Sequence, residues 1–421
     1  MVQRFVSTRG QAPAVGFREA LFAGLAPDGG LYVPRSLPAI DFDDLRDASL
    51  VEAGAAIAAR FVGHDVPRTD LERLLADALS FPIPVALVGD RAVVELFHGP
   101  TFAFKDIGAR VMARLMAHLH DAGVPLTILV ATSGDTGSAV AQAFHGLDAI
   151  RVVVLFPEGA VTPVQEAQFT TLGGNVIAVA VAGAFDDCQR LVKQAFADQT
   201  LSQRARLTSA NSINIGRLLP QTFYFAHAAL RSTRPVIFSV PSGNFGNLTA
   251  GLMAWKMGAP IARFVAATTI NDTVPRYLAS GRYEPHASLP TLANAMDVGH
   301  PSNLERMRWL FDDDVAAMRH MVTASVHTDD DVRRTIREVF ERFGYLCDPH
   351  TAIAYAGLDA FGDVDAPAAF LATAHPAKFK ETVEPLVRAH IPLPRELAEA
   401  MARPRAVERI PPQLQALTAL L

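Results

Sequence analysis

Cysteine is nearly absent from this chain. Its 421 residues include two, Cys188 and Cys347. They lie far apart, too few for a disulfide framework and not spaced as a metal-binding pair, so both read as buried, inert thiols. Charge is scarce as well: 19% of residues are charged and the formal net charge is −5. No basic stripe and no aromatic–basic alternation occurs, which argues against a nucleic-acid partner. No apolar run nears the ~20 residues that span a bilayer, so no membrane partner is expected. The start, Met1-Val2-Gln3-Arg4-Phe5, lacks the charged-then-apolar pattern of a signal peptide, and a cytoplasmic protein is expected. Repeats and low-complexity tracts are missing. His98, His300 and His350 have no metal-site spacing; they are expected to be structural or solvent-facing, and no metal is expected.

What is present is apolar and punctuated. Half of the residues are hydrophobic, which supports well-buried cores, and the length exceeds one ordinary core. Up to Val94 the pattern is mixed and mostly helical, with a turn and short extended piece at 28–34 and helical spacing over 50–62 and 69–79. This section shows no chemistry of its own. Thereafter short buried-strand runs at 126–131, 150–156 and 176–181 alternate with helical stretches at 106–122, 138–144, 164–172 and 185–196. The rhythm resumes with strands at 236–240, 264–268 and 369–373 and a helix at 248–257. Asp329-Asp330-Asp331 reads as a solvated helix start. The expectation is an α/β protein: two open, doubly wound, mainly parallel sheets with a cofactor cleft between them, behind an N-terminal section. The expected parts are 1–94, 95–225 and 226–421. Ligands in such sheets bind at the carboxyl ends of strands.

Several segments carry candidate chemistry. In His98-Gly99-Pro100-Thr101-Phe102-Ala103-Phe104-Lys105-Asp106, a lysine ends a run of small and aromatic residues just before a periodic helix. Removed from water, its amine becomes a nucleophile and base suited to a Schiff base with an aldehyde cofactor. The plainer reading is a helix start with its ammonium in solvent. Two glycine-rich turns follow strands: Thr132-Ser133-Gly134-Asp135-Thr136-Gly137 and Ser242-Gly243-Asn244-Phe245-Gly246-Asn247. The second suits a phosphate, because inward N–H groups and a helix N-terminus make an anion seat; it equally suits a tight turn without ligand. The first offers N–H groups and the hydroxyls of Thr132, Ser133 and Thr136 to a carboxylate, or else simply caps its helix. Asn211-Ser212-Ile213-Asn214-Ile215-Gly216-Arg217 combines amides, a hydroxyl and a guanidinium that suit a second phosphate. Thr373 ends a strand beside Ala374-His375-Pro376-Ala377-Lys378-Phe379-Lys380, either a site edge or an ordinary turn.

Together these motifs resemble the threonine synthases, pyridoxal-phosphate enzymes of the tryptophan-synthase-β fold type. The resemblance runs from Ser7-Thr8-Arg9-Gly10 to Lys380 and is closest to the longer bacterial and fungal branch. Matching motifs are 98–106, 132–137, 209–214, 242–247 and Asn294-Ala295-Met296-Asp297-Val298, in that order. The resemblance implies that Lys105 carries pyridoxal 5′-phosphate and moves the proton at the substrate Cα. It places Gly243, Asn244, Phe245 and Asn247 around the cofactor phosphate and Thr373 at the pyridine nitrogen. It gives the substrate carboxylate to Thr132, Ser133 and Thr136, and the substrate phosphate to Ser212 and Arg217. The implied reaction converts O-phospho-L-homoserine and water to L-threonine and phosphate. A phospho-lyase yielding 2-oxobutyrate and a non-catalytic binding protein are the alternatives. A monomer is expected, with a homodimer as alternative. Related enzymes often carry asparagine where this chain has Asp135, whose role the sequence leaves open.

Overall fold

The computed structural model describes residues 3–121, 123–361 and 366–421. Its strands are β1 (Phe5–Ser7), β2 (Tyr32–Pro34), β3 (Val85–Val88), β4 (Arg91–Glu95), β5 (Leu126–Ala131), β6 (Ile150–Pro157) and β7 (Val176–Val181). They continue as β8 (Leu207–Thr208), β9 (Val236–Pro241), β10 (Ile261–Thr268), β11 (Val322–Val326), β12 (Ala368–Ala372) and β13 (Glu408–Ile410). All residues of β5 and β9 are buried. This is why those segments read as unbroken apolar runs rather than alternating ones: helices cover both faces of a parallel sheet.

One sheet has the order β13-β7-β6-β5-β8 and is parallel throughout. The other has the order β11-β10-β9-β12-β4-β3, parallel except for the antiparallel β3–β4 edge. Helices Asp135–Phe144 and Pro163–Thr170 lie against β6 and β7, and helix Phe185–Ala197 lies against β5 and β6. Helix Pro349–Phe361 spans β9 to β12 in the second sheet. The architecture is the expected pair of open, mainly parallel sheets.

Element ends differ from the sequence reading for local reasons. The helix expected from 138 starts at Asp135, because the turn itself already has helical geometry. The helix expected over 164–172 runs Pro163–Thr170; Thr162 and Gln165 form a reciprocal cap and Pro163 takes the first turn. The helix expected over 106–122 starts at Lys105 and ends at Leu119; Ala122 lies outside the described residues. β10 begins earlier than expected, with an irregular register between Ile261 and Arg263. Helix Gln221–Leu230 is buried at every residue, so it has no polar face for a periodicity argument to detect. Chain order and sheet membership also part company: β3 and β4 join the six-stranded sheet, and β13 closes an edge of the five-stranded one. Both cysteines are free and buried, and burial pushes the Cys188 thiol up to about 12.

The segments that matter for chemistry all leave the carboxyl ends of parallel strands. Residues 96–104 follow β4, 132–134 follow β5, 242–245 follow β9 and 373–375 follow β12.

Candidate active site

Lys105 opens helix Lys105–Leu119. The loop before it is stitched to the chain after β12: the Phe104 N–H donates to the Thr373 carbonyl at 2.9 Å, and the His375 N–H donates to the Phe102 carbonyl at 3.1 Å. Asp106 braces the loop from within, accepting from the Thr101 N–H at 2.8 Å and the Thr101 hydroxyl at 2.6 Å. Phe102 sits at φ +57°, a left-handed conformation that costs a bulky residue about 1 kcal/mol or more and concentrates at functional sites. Lys105 is 14% exposed, with Nζ 3.7 Å from Asp135 Oδ2 and 4.8 Å from the centroid of the Phe104 ring. Burial lowers its proton affinity; Asp135 opposes that, while Lys378 and Arg217 add to it. The solvent-exposed reading of Lys105 is thereby set aside.

The first glycine turn is a charged network. Gly134 has φ +140°, and a Cβ there would lie 2.5 Å from the Gln165 side chain. The Thr132 hydroxyl accepts from the N–H groups of Gly134 and Gly137 at 2.9 and 2.8 Å. It therefore organises the turn, whereas the Ser133 and Thr136 hydroxyls have no partner among the described residues. Asp135 is buried, receives Gln165 Nε2 at 2.9 Å and pairs with Lys378 Nζ at 2.7 Å. Burial works to raise its carboxyl, but Lys378 and Lys105 outweigh that and hold it well below the usual carboxylate range.

The second turn is neutral. Phe245, at φ +60°, caps helix Gly246–Met257. A Cβ on Gly243 would stand 2.5 Å from Met296 Cα, so the glycine is required by the close 294–298 segment as well as by any ligand. Asn244 donates to the Ser212 hydroxyl at 2.7 Å and accepts the Ser302 N–H at 2.6 Å. Ser212 is thus drawn to this turn. Arg217 is buried; one Nη donates to the Ala210 carbonyl at 2.6 Å, and burial pushes the guanidinium down to about 10. Among the described residues no carboxylate lies within ion-pair distance of it. The loop beside it is held by Arg306, which donates to the carbonyls of Tyr32, Ser212 and Ile213.

A cavity of about 1140 Å³ brings these parts together. Its lining includes Lys105, Thr132, Ser133, Thr136, Ser212, Arg217, Gly243, Asn244, Phe245, Asn247 and Thr373, that is, every residue to which the resemblance gave a role. Several buried atoms without a protein partner lie on residues of this wall, Asn247 Nδ2, Arg217 Nε and His350 Nε2 among them. A buried amine with weakened proton affinity, an amide N–H and a guanidinium N–H left unpaired fit an aldehyde-bearing phosphate and a second anion.

Four features go beyond the roles assigned from the sequence, although Asp297 and Lys378 lie in segments named there. Lys378 is fully buried and paired with Asp135; its neighbours in sequence gave no sign of that. His350, expected to be structural or solvent-facing, is buried on the cavity wall, with Nδ1 2.6 Å from Asp348 Oδ2; the Asp-Pro-His spacing was an available signal. Asp297 also lines the cavity, and burial pushes its carboxyl up to about 6 against hydrogen bonds from Thr291. Thr8 and Arg9, from the section thought to lack chemistry, reach the cavity edge beside Glu305. His300 also lines the cavity, though exposed, and pairs with Tyr283 at 3.1 Å, whereas His98 is outside the lining and pairs with Glu95 at 2.7 Å. Among the described residues no group of three or more His, Cys, Asp or Glu side chains is placed to hold a metal ion. Nor is any described helix long and apolar enough to cross a membrane.

Comparison with known proteins gives concordant results. Residues 92–369 match the profile of the pyridoxal-phosphate dependent enzymes, 4–79 that of the threonine synthase N terminus and 351–421 that of the threonine synthase C-terminal region. Threonine synthase from Serratia marcescens is 48% identical over 393 residues, 91% of each chain. The chain belongs to the threonine synthase family. The crystal structure of threonine synthase from Escherichia coli superposes with a TM-score of 0.94 at 44% identity, covering 99% of both chains. The pyridoxal-phosphate-bound threonine synthase from Brucella melitensis gives 0.93 at 38% identity over 99% and 98% of the chains. As a member of that family, the chain is a pyridoxal-phosphate-dependent lyase acting on a small molecule.

Proposed function

We propose that the cleft converts O-phospho-L-homoserine and water to L-threonine and phosphate, with Lys105 as the residue that holds the cofactor. One observation carries this reading: a buried lysine shares a single cavity with two separate anion-ready groups, the Ser242–Asn247 turn and Arg217. A cofactor phosphate and a substrate phosphate require two such seats at once.

Bound pyridoxal phosphate supplies an electron sink for the carbanion at the substrate Cα. Gly243, Asn244, Phe245 and Asn247 would hold its phosphate, where the helix N-terminus and the unpaired Asn247 Nδ2 favour an anion. Thr373 lines the cavity and would offer the ring nitrogen a neutral partner in place of a carboxylate, which would temper the sink and disfavour transamination. Lys105 would carry the cofactor on its side-chain amine and, with substrate bound, would be the base that takes and returns the proton at Cα. The turn Thr132–Gly137 receives the substrate carboxylate through Ser133, Thr136 and backbone N–H groups, in the frame that the Thr132 hydroxyl builds. Arg217 holds the substrate phosphate, and Ser212, hydrogen-bonded to Asn244, stands between the two phosphate seats. In this reading the chain works as a cytoplasmic monomer.

The test is product identification. Purified protein is scanned for cofactor absorbance and then given phosphohomoserine. Threonine with one phosphate released per turnover supports the reading. Release of 2-oxobutyrate instead identifies a phospho-lyase, and no cofactor band identifies a binding protein.

A further inference from the structure

Lys378 is a buried lysine behind the cleft wall, paired with the lining residue Asp135, and the proposed reaction leaves it without a task. It lies in the short 3-10 helix Pro376–Phe379 after β12, with its side chain fully buried. Lysines are almost never buried completely unless paired. Here Nζ lies 2.7 Å from Asp135 Oδ1 and donates to the Thr101 carbonyl at 2.8 Å. One nitrogen therefore joins three strand ends: the Lys105 loop after β4, the first glycine turn after β5 and the segment after β12.

Asp135 stands between two amines. Its Oδ1 faces Lys378 and its Oδ2 lies 3.7 Å from Lys105 Nζ. Buried and unpaired, such a carboxylate would pull strongly on a proton at Lys105. An amine works as nucleophile and base only when it can give that proton up. With Lys378 in contact, the carboxylate is largely neutralised before it acts on Lys105.

We propose that Lys378 is a positioning residue: its ion pair with Asp135 offsets that carboxylate's pull on Lys105 and leaves the Lys105 nitrogen free to lose its proton. The inference rests on Lys105 being the cofactor carrier. Arg217 and Asp348 also act on Lys105, with Asp135 and Lys378 ahead of them, and His350 adds to the field at Asp135. The same arrangement answers why a carboxylate is tolerated beside the cofactor site. Asp135 enters already paired, so its charge is not left to the cofactor.

The experiment is a pH titration of cofactor absorbance in the holoenzyme, comparing the parent with Lys378→Gln. Removing Lys378 leaves Asp135 unopposed, so the transition moves up by about 1 pH unit or more. A transition at the parent's pH, or one moved down, overturns the proposal. The double variant Lys378→Gln/Asp135→Asn removes both charges and returns the transition close to the parent value. A purely structural loss of the Thr101 contact would not be rescued in this way, so absence of rescue also overturns it. Should Lys378→Gln fail to fold, Asp135→Asn is compared with the double variant. Losing Lys378 must again raise the transition, and equal transitions overturn the proposal. The premise is checked separately: a near-visible band that persists in Lys105→Ala removes Lys105 as carrier, whereas an unmoved transition with the band intact removes only the role of Lys378.

Discussion

The two glycine turns follow parallel strands in the same way and open onto the same cavity, yet they are built on opposite principles. The turn after β5 is held by charge: Asp135 is buried against Lys378 and Gln165 and faces Lys105. The turn after β9 is held by neutral contacts, from Asn244 to Ser212 and Ser302, and leaves the Asn247 amide unpaired. Their neighbouring carboxylates diverge accordingly. Asp135 is kept ionised by two lysines, while Asp297, near the second turn, has no such company and burial drives it up. The difference teaches where an arriving anion is welcome. A turn whose carboxylate is already paired leaves its hydroxyls and N–H groups for a small carboxylate. A turn without fixed charge presents bare donors and a helix N-terminus to a phosphate.

The contrast can be broken at several points. Lys105→Ala removes the group both turns serve; the near-visible cofactor band disappears and turnover falls about 10³-fold or more, read by absorbance and phosphate release. Asp135→Asn strands a buried ammonium and costs about 3 kcal/mol in thermal or denaturant melts. Asp297→Asn, made at the other turn, is expected to be neutral or mildly stabilising at pH 7, so equal losses in both variants would erase the distinction. Arg217→Ala raises the Michaelis constant for phosphohomoserine about 30-fold, the worth of one charge-assisted contact, with cofactor affinity unchanged. Gly243→Ala forces a Cβ to 2.5 Å from Met296 Cα and weakens cofactor binding about 10-fold, which equilibrium dialysis would measure.

The smallest effect is a pH dependence. The folded Asp297 carboxyl titrates at about 6, above the ordinary carboxylate value near 4 of an unfolded chain. Between those values the folded state binds more protons, so this group's contribution falls as pH rises from about 4 to 6. Asp135 behaves in the reverse sense: held low, it contributes above about pH 4 and loses that contribution only in stronger acid. Melting curves of Asp297→Asn should be flatter between pH 4 and 6 by about 1 kcal/mol or less, while those of Asp135→Asn lose the acid-side decline.

Much of this site could be read from the chain before any folding. Strands β5, β6, β7 and β9 were visible because a strand buried on both faces is an unbroken apolar run bounded by turn residues. Lys105, the two glycine turns, Ser212, Arg217 and Thr373 stood out by residue type and by their place after strands. Helix Gln221–Leu230 did not, since uniform burial erases periodicity. Lys378 did not either: its sequence neighbours are ordinary, and its burial follows only from three strand ends converging. His350 looked isolated in sequence, but the short Asp348-Pro349-His350 spacing places the carboxylate and the imidazole together at one helix start.

By itself the sequence determined the alternation of strands and helices, the resemblance to a family and the residues able to hold a lysine-bound cofactor and two phosphates. Those depend on local pattern and side-chain chemistry, which are properties of neighbours along the chain. Tertiary structure alone decided which charges meet. It set Asp135 between Lys105 and Lys378, drew Ser212 to Asn244, put Arg217 in the cavity without a carboxylate, and placed β3, β4 and β13 in sheets remote in chain order. Coulomb forces and desolvation act over a few ångströms in space, and residues 135 and 378 become neighbours only when the strands that carry them pack.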